Sequence, residues 1–561
     1  MANKTAKLCL VFVLVCLGAV LAYLMNERSP EGIDDANIYF IYMRNLADGY
    51  GFVYRAGGER VEGFTSLLWC LVGALCFAFT TRPEIWLLCI NIGAVTFALW
   101  RLLCFSGDYF GDRRVADPST LFILGALLLV PGYFEWTVLA LMETGIWSAL
   151  LTGCFLNLCR AEMQPARLRR YNVRLSVLLV LLVAARPESL VWGAVILAVR
   201  LYQVYRNRPR PERLKTALAP VLSFVLPVTA LLCWRLYYFG YPFPNTYYAK
   251  VSQDMGYNLG RGLAYLRDAA RFTNPLLFAA AAVPPLYLLL RRRKPEGIGY
   301  ISVWFVLVTA ALPLYAGGDH FALARLLVPS LPVVYFSLCV FASGVGSAYF
   351  RPVKRPYLWT VLLLAATVLI PARDGWISSL QRGYGALRME FVIAKYDRLF
   401  GERMNAFFDA RPVYPSQGVL SAGGNPYRYR GVSVDLLGLN NVQMAHADRV
   451  KTRDLLKGHA SFNKDVFYLQ KPDLFWLSVI RFMPLADTAA FVLPESGPDY
   501  RYDLAYTVYK GIMYDSLFRA TYYPVHIIKE GDPECLFTYA HRDFLPTLRP
   551  PYTYRLIPRG G

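Results

Sequence analysis

The sequence predicts a mainly α-helical, polytopic membrane protein that ends in an α/β domain. Three observations carry this expectation. The 561 residues are 56% hydrophobic, with a mean hydropathy of +0.34. Many apolar runs approach the roughly 20 residues that cross a bilayer. The net charge of +20 collects in short basic segments between those runs. Residues 1–371 are read as the membrane domain, with a first outer loop over 26–84, and residues 372–561 as a soluble α/β domain.

The first run, Leu8 to Met25, follows Lys4 and Lys7 and has no small-residue cleavage site after it. It is therefore read as a retained anchor whose start faces the cytoplasm. Next comes "GIDDANIYFIYMRNLADGYGF", in which Asp34 or Asp35 is placed to cap a helix from Ala36 to Asp48 that Gly49 ends. Gly57-Gly58 in "YRAGGERVEGFTS" bends the following loop back on itself. Ser66 to Phe79 is apolar but short, and is read as a helix lying at the outer interface or dipping back out; Ile85 to Phe105 crosses.

Five basic segments follow: Arg113-Arg114, Arg160 to Arg174, Arg206 to Lys215, Arg291 to Lys294 and Arg351 to Arg355. The tendency of Lys and Arg to remain inside puts all five in the cytoplasm, so the apolar sequence between neighbouring segments has to cross twice. The pairs are Leu121 to Tyr133 with Gly145 to Leu158, Leu175 to Ala185 with Leu190 to Tyr205, Ala217 to Leu236 with Pro275 to Leu290, and Ile301 to Leu314 with Leu326 to Phe350. Leu358 to Pro371 then crosses outward. About eleven spans result, N-terminus inside and C-terminal domain outside. Basicity of this kind reports topology, and no nucleic-acid partner is expected; the partner is the lipid bilayer.

Every outward turn in this scheme carries charged or polar side chains. They are Asp34 and Asp35, Glu143 in "LMETG", Arg186 and Glu188 in "ARPES", Asn245, Tyr247 and Lys250 in "PNTYYAK", and Asp319, His320 and Arg325 in "GGDHFALAR". Taken singly, each reads as a loop charge or a helix cap. Taken together on one side of a membrane, where ionisable groups are costly, they point to one polar outer cavity. Some flanking runs, such as Leu175 to Ala185, are too short to cross about 30 Å of hydrocarbon, which recesses the turns.

Carboxylates beside Arg, Lys and His suit acid/base chemistry on an anionic amphiphile. A carboxylate takes the proton of an attacking hydroxyl, and fixed cations stabilise a leaving phosphate. Neither metal-ligand spacing nor a nucleotide loop appears: His446, His459, His526 and His541 are unsuitably spaced, and the Gly pairs in "AGGE", "AGGD" and "SAGGN" do not match a phosphate loop. No cofactor is assigned, and the donor is expected to be lipid-bound. Of the 11 cysteines only Cys535 lies beyond residue 340, so the C-terminal domain has no internal disulfide. A transporter, the alternative reading, would need polar groups in both leaflets and matching halves; the inner turns here are short and only basic.

In order along the chain, "DDANIYFIYMRNLADGYGFVYRAGGERVEGFTSLLW", "METGIW", "ARPE", "YYFGYPFPNTYYAKV", "GGDHFALARLLVPSLP", "AGGNPYRYRGVSVDLLGLNNVQMAHADR" and "KGHASFNKDVFYLQKPDLF" resemble the polytopic C-type (GT-C) glycosyltransferases similar to the mycobacterial terminal β-(1→2)-arabinofuranosyltransferase. The resemblance runs from Asp34 to about Phe475. It implies a multi-span fold in a bacterial inner membrane, an outer active site, a polyprenyl-phosphate sugar donor, inverting transfer to a glycan, lipid or protein acceptor, and an extracytoplasmic C-terminal domain. The family's acidic motif falls on Asp34 and Asp35, with Asp34 favoured as general base and Asp35 as the helix cap. Its Gly-Leu-Glu falls on Leu141-Met142-Glu143 and its Arg-Pro-Glu on Arg186-Pro187-Glu188. Arg186, Lys250, His320 and Arg325 are then expected at the donor phosphate, and Glu143, Glu188, Asn245, Tyr247 and Asp319 at the substrate. Two positions depart from the pattern, Leu141-Met142 in place of Gly-Leu and His320 in place of an aromatic residue or Met.

Beyond Ala372 a helical stretch, "SLQRGYGALRMEFVIAKYDRLFGERMNAFFD", gives way to short apolar runs broken by Gly, Pro and Asn. That pattern reads as an α/β domain, whose Tyr-rich strands are packing surfaces first and sugar-stacking surfaces second.

Overall fold

The computed structural model describes residues 2–251, 254–272, 297–349, 376–448, 459–476, 482–489 and 508–558. The chain divides into two compact units. Unit 1 comprises Met1–Ile33, Thr65–Tyr237 and Met255–Val392; unit 2 comprises Asp34–Phe64, Tyr238–Asp254 and Ile393–Gly561. The expected spans Pro275 to Leu290 and Leu358 to Pro371, and the basic segments Arg291 to Lys294 and Arg351 to Arg355, lie outside the described residues.

The helices run in the order α1 (Ala2–Met25), α2 (Asp34–Ala47), α3 (Leu67–Phe77), α4 (Glu84–Phe110), α5 (Arg113–Leu129), α6 (Thr144–Met163) and α7 (Leu168–Ala185). They continue with α8 (Ser189–Asn207), α9 (Arg210–Phe239), α10 (Asn245–Lys250), α11 (Met255–Phe272), α12 (Ile298–Ala316), α13 (Leu331–Tyr349) and α14 (Trp376–Phe407). In unit 1, α4 packs on α1, α5 and α6, α6 packs on α7, and α12 packs on α11 and α13.

Among the described residues, four stretches of helix are long and apolar enough to cross a membrane: Lys4–Met25, Glu84–Phe110, Arg210–Phe239 and Ile298–Ala316. Helix α3 has 11 residues, about 16 Å at 1.5 Å per residue, and does not span. Ser66 caps it by accepting the Trp69 amide. Two expectations change. Arg113 and Arg114 open α5 instead of forming a loop. Helix α7 starts at Leu168 and is 18 residues long, about 27 Å, so the helix extends well beyond the apolar run Leu175 to Ala185. Arg169, Arg170 and Arg174 carry the helix onward because a straight-chain cation propagates a helix nearly as well as Leu does, whereas hydropathy stops at the first charge.

The cap of α2 also differs. The helix begins at Asp34, not Ala36, so both carboxylates lie in its first turn, and Asp35 is not the capping residue. There they meet the positive end of the helix dipole. Gly49 ends the helix as expected, with φ +85° and its amide bonded to Leu46 O at 3.2 Å.

Among the described residues unit 2 also holds seven strands: β1 (Gln417–Val419), β2 (Ser433–Asp435), β3 (Leu474–Phe475), β4 (Phe482–Pro484), β5 (Tyr522–Lys529), β6 (Glu534–His541) and β7 (Tyr552–Leu556). Their order is β2-β1-β3-β6-β5-β7, with β4 also on β6. The β1 pairings with β2 and β3 are parallel and the remaining pairings antiparallel. Phe400, Met404 and Phe407 of α14 bury against Trp476, Val525 and Leu536 from this sheet, so the predicted α/β character holds.

Candidate functional site

In unit 2 the acidic pair is built by the meeting of α2 with a glycine turn. Asp34 Oδ1 accepts the Gly424 amide at 2.7 Å, and Oδ2 accepts the Gly423 amide at 3.1 Å. The approach requires glycine: a Cβ on Gly423 would lie 1.9 Å from Asp34 O, and one on Gly424 2.6 Å from Ala394 O. Burial pushes the Asp34 carboxyl well above its usual range, the charge of Asp397 pushes it further, and the two amides oppose the rise. Asp35 instead pairs with Lys250, Oδ2 to Nζ 3.7 Å, both half-buried. A fixed carboxyl beside a carboxylate–ammonium pair can exchange a proton with a hydroxyl brought to it.

The surroundings hold this arrangement. Arg398 Nε donates to Asn37 Oδ1 at 2.5 Å, and its guanidinium lies 4.8 Å from the centre of the Tyr427 ring. The Tyr54 hydroxyl donates to Ala422 O, next to the glycine turn, at 2.6 Å. Burial, then the charges of Asp435 and Asp34, keep that phenol neutral. Asp435 itself accepts the amides of Leu437, Gly438 and Asn440 at 2.9, 3.1 and 2.7 Å. Asn245 is buried in support of the same loop, donating from Nδ2 to Gly438 O and Leu439 O at 2.7 and 3.1 Å. Tyr247 is exposed, against Phe243 with ring centres 5.0 Å apart.

The other predicted residues belong to unit 1 and form two clusters. In the first, Arg186 donates from Nε and Nη2 to both oxygens of Glu188, at 3.0 and 2.8 Å, and from Nη1 to Glu143 Oε1. Its guanidinium lies 5.0 Å from the centre of the Trp147 ring. Two carboxylates thus surround one cation. Leu141, just before this cluster, has φ +56°, a backbone suited to the Gly of the family pattern. Here the buried Leu side chain offsets the strain.

In the second cluster Arg325 donates from Nε to Asp319 Oδ2 at 2.8 Å and lies 4.1 Å from the centre of the Phe321 ring. The His320 amide donates to Asp319 Oδ1 at 2.9 Å. Gly317 and Gly318 have positive φ, and so do Leu323 and Ala324, both at +58°, a strained path for side-chain-bearing residues. Asp319 and His320 line a cavity of about 340 Å³ together with Arg261, Tyr265, Asp268 and Arg382. Glu143, Arg186 and Glu188 do not line it. Among the described residues, no group of three or more His, Cys, Asp or Glu is placed to share a metal ion.

Sequence reasoning missed several participants. Gly423 and Gly424 stand in "AGGNPYRYRG", a segment of the resemblance, but their contact with Asp34 is not expected from the sequence. Asp397 and Arg398 lie in the helical stretch beyond Ala372, where the sequence assigns them no role. Glu135 sits buried in a π-helical turn, Glu135–Leu139, a local irregularity that no periodicity announces.

No protein-family model matches the chain, and no curated protein matches it significantly. Among solved structures, the chain is similar to the apo oligosaccharyltransferase of Archaeoglobus fulgidus, at TM-score 0.47 and 11% identity over 95% of this chain and 74% of that one. It is similar to AglB of the same organism in complex with an inhibitory peptide and a dolichol-phosphate, at TM-score 0.47 and 12% identity over 95% and 74%. It is also similar to ArnT of Cupriavidus metallidurans bound to undecaprenyl phosphate, at TM-score 0.48 and 11% identity over 94% and 97%.

Proposed function

We propose that this chain is a GT-C-type membrane glycosyltransferase of about eleven spans. It moves a sugar, arabinofuranose by the motif resemblance, from polyprenyl phosphate to an envelope glycan, lipid or protein acceptor. The N-terminus is cytoplasmic, and the domain over residues 372–561 lies outside a bacterial inner membrane. The observation that carries the reading is Asp34: a carboxyl held by two backbone amides and raised by burial, beside the Asp35–Lys250 pair. In the reaction the acceptor hydroxyl oxygen bonds to the anomeric carbon and its proton passes to Asp34. The carbon–oxygen bond to phosphate breaks with inversion, and polyprenyl phosphate leaves with the bonding pair, its charge met by Lys250, or by Arg325 with His320 beside it.

Arg186 is already committed to two carboxylates, so it supports the turn that carries Glu143 and Glu188. Asn245 is a tether of the same supporting kind. The direct test is an assay of the purified full chain with a panel of polyprenyl-phosphate sugars, reading release of polyprenyl phosphate. Turnover of at least one donor, abolished in Asp34→Asn, is expected. No turnover of any donor with any envelope extract as acceptor would sink the reading.

A further inference from the structure

Unit 2 contains a second cavity, of about 470 Å³, that the chemistry above does not use. Its lining includes Arg44, Arg55 and Arg430 and the rings of Tyr54, Tyr414 and Tyr429, and no lining residue is acidic. Three guanidinium groups around one cavity repel one another unless an anion joins them. Arg403 of the same unit, by contrast, pairs with Asp532 at 2.5 Å and with Glu534 at 3.1 Å. At the cavity, Arg55 and Arg430 are exposed and make no ion pair among the described residues. Arg44 is held in place, with Nη1 donating to Tyr427 O at 3.1 Å and its guanidinium 5.1 Å from the centre of that ring.

The rings are fixed as well. The Tyr429 hydroxyl donates to Pro415 O at 2.7 Å and that of Tyr54 to Ala422 O at 2.6 Å; Tyr429 is buried in the core and backs Tyr414, so the partly exposed rings of Tyr54 and Tyr414 are the ones presented for contact. Rigid aromatic faces suit the C–H faces of sugar rings, and a guanidinium fork suits a carboxylate. Tyr54 also connects the cavity to the reacting end, because Ala422 directly precedes the Gly423-Gly424 turn that holds Asp34.

We propose that this cavity binds an acidic glycan, a saccharide chain carrying carboxylates, and that this chain is the acceptor. The acceptor role rests on the transferase reading; the binding does not. The test uses the full chain in detergent and calorimetric titration with hexagalacturonate, with neutral maltohexaose as the control. Hexagalacturonate is expected to bind at least about tenfold more tightly than maltohexaose, with affinity falling as salt rises. Arg55→Ser/Arg430→Ser should weaken it about tenfold or more, as loss of charge-assisted hydrogen bonds does, while Arg55→Lys/Arg430→Lys retains part of the affinity. Both residues are exposed, so an unchanged thermal midpoint verifies folding. Equal binding of the two saccharides, no binding of either, or no effect of the double Ser variant overturns the proposal. So does preferential binding of dihexanoyl phosphatidylglycerol through the same arginines, which would make the cavity a lipid-headgroup site. If hexagalacturonate binds and no sugar is transferred, the cavity stands and the transferase reading fails; transfer without such binding gives the reverse.

Discussion

Asp34 Oδ1 accepts the amide hydrogen of Gly424 at 2.7 Å, and the neighbouring Gly423 serves Oδ2 at 3.1 Å. A carboxyl clamped in this way has no rotamer freedom left to lose when substrate arrives, which is the pre-organisation a proton acceptor requires. The clamp depends on two missing side chains.

Gly423→Ala should therefore destabilise unit 2 by about 1–3 kcal/mol, as overpacking does, because its Cβ would lie 1.9 Å from Asp34 O. Gly260→Ala is the control. It lies in α11 with nothing within 4 Å of an added Cβ, and should stabilise by about 0.5–1 kcal/mol through backbone entropy. Thermal unfolding in detergent reads both. A Gly423→Ala midpoint equal to wild type would show that the close approach is not maintained in solution.

Asp34→Asn should lower sugar transfer by about 10²-fold or more with folding retained, whereas Asp35→Asn should cost less while leaving Lys250 without its carboxylate. The base works only when ionised, and burial holds its pKa above the ordinary 3.8. The acid limb of the activity profile should accordingly lie above the usual carboxylate range. The sign for stability is opposite. A carboxyl raised on folding stabilises the fold below its ordinary value, and that contribution is lost as pH rises through the folded value. Asp34→Asn should remove that slope. Wild-type transfer rates in Asp34→Asn would end the assignment, and an inactive but stable Asp35→Asn would exchange the two roles.

The two arginine clusters should respond differently to the same substitution. Arg186→Lys loses the two-pronged contact with Glu188, a loss of about 1.5–3 kcal/mol, and should lower the thermal midpoint without changing donor affinity. Arg325→Lys should weaken donor binding about tenfold, because a single ammonium does not reproduce the guanidinium fork toward phosphate. Identical donor affinity in wild type and Arg325→Lys would remove Arg325 from the phosphate.

Single cysteines at Arg208, Gly318 and Gly431, in a background without the 11 native cysteines, should label from the inside, the outside and the outside. The expectation rests on the basic segments. Labelling of Gly431 from the cytoplasm would overturn the proposed orientation.

Local signals were legible where a single residue determines a local conformation. Gly49 ends α2, Ser66 caps α3, and among the described residues Gly145 to Leu158, Leu190 to Tyr205 and Ile301 to Leu314 lie in helices close to their expected limits. Boundaries failed where polarity and helicity part company. Arg169, Arg170 and Arg174 extend α7 by about two polar turns, and Asp34 enters the helix it was expected to precede. The clamp on Asp34 was not legible, since its partners stand 389 and 390 residues away and hydrogen bonding over that separation leaves no periodic trace. The candidates Glu143, Arg186 and Glu188 were picked as separate turn charges. That Arg186 joins the other two was beyond reach, because pairing depends on helix packing and not on spacing. The sheet order, with β1 between β2 and β3, is likewise a property of long-range pairing.

The 389 residues between Asp34 and Gly423 also mean time. At about 5–20 residues per second of synthesis, α2 waits about 20–80 s between its own emergence and that of the turn that completes its setting. Throughout that interval Phe40 lacks the Tyr427 ring, whose centre lies 5.8 Å from its own in the finished protein. A chain cut short before Gly423 would present the same unsheltered aromatic face to the quality-control proteases of the cell.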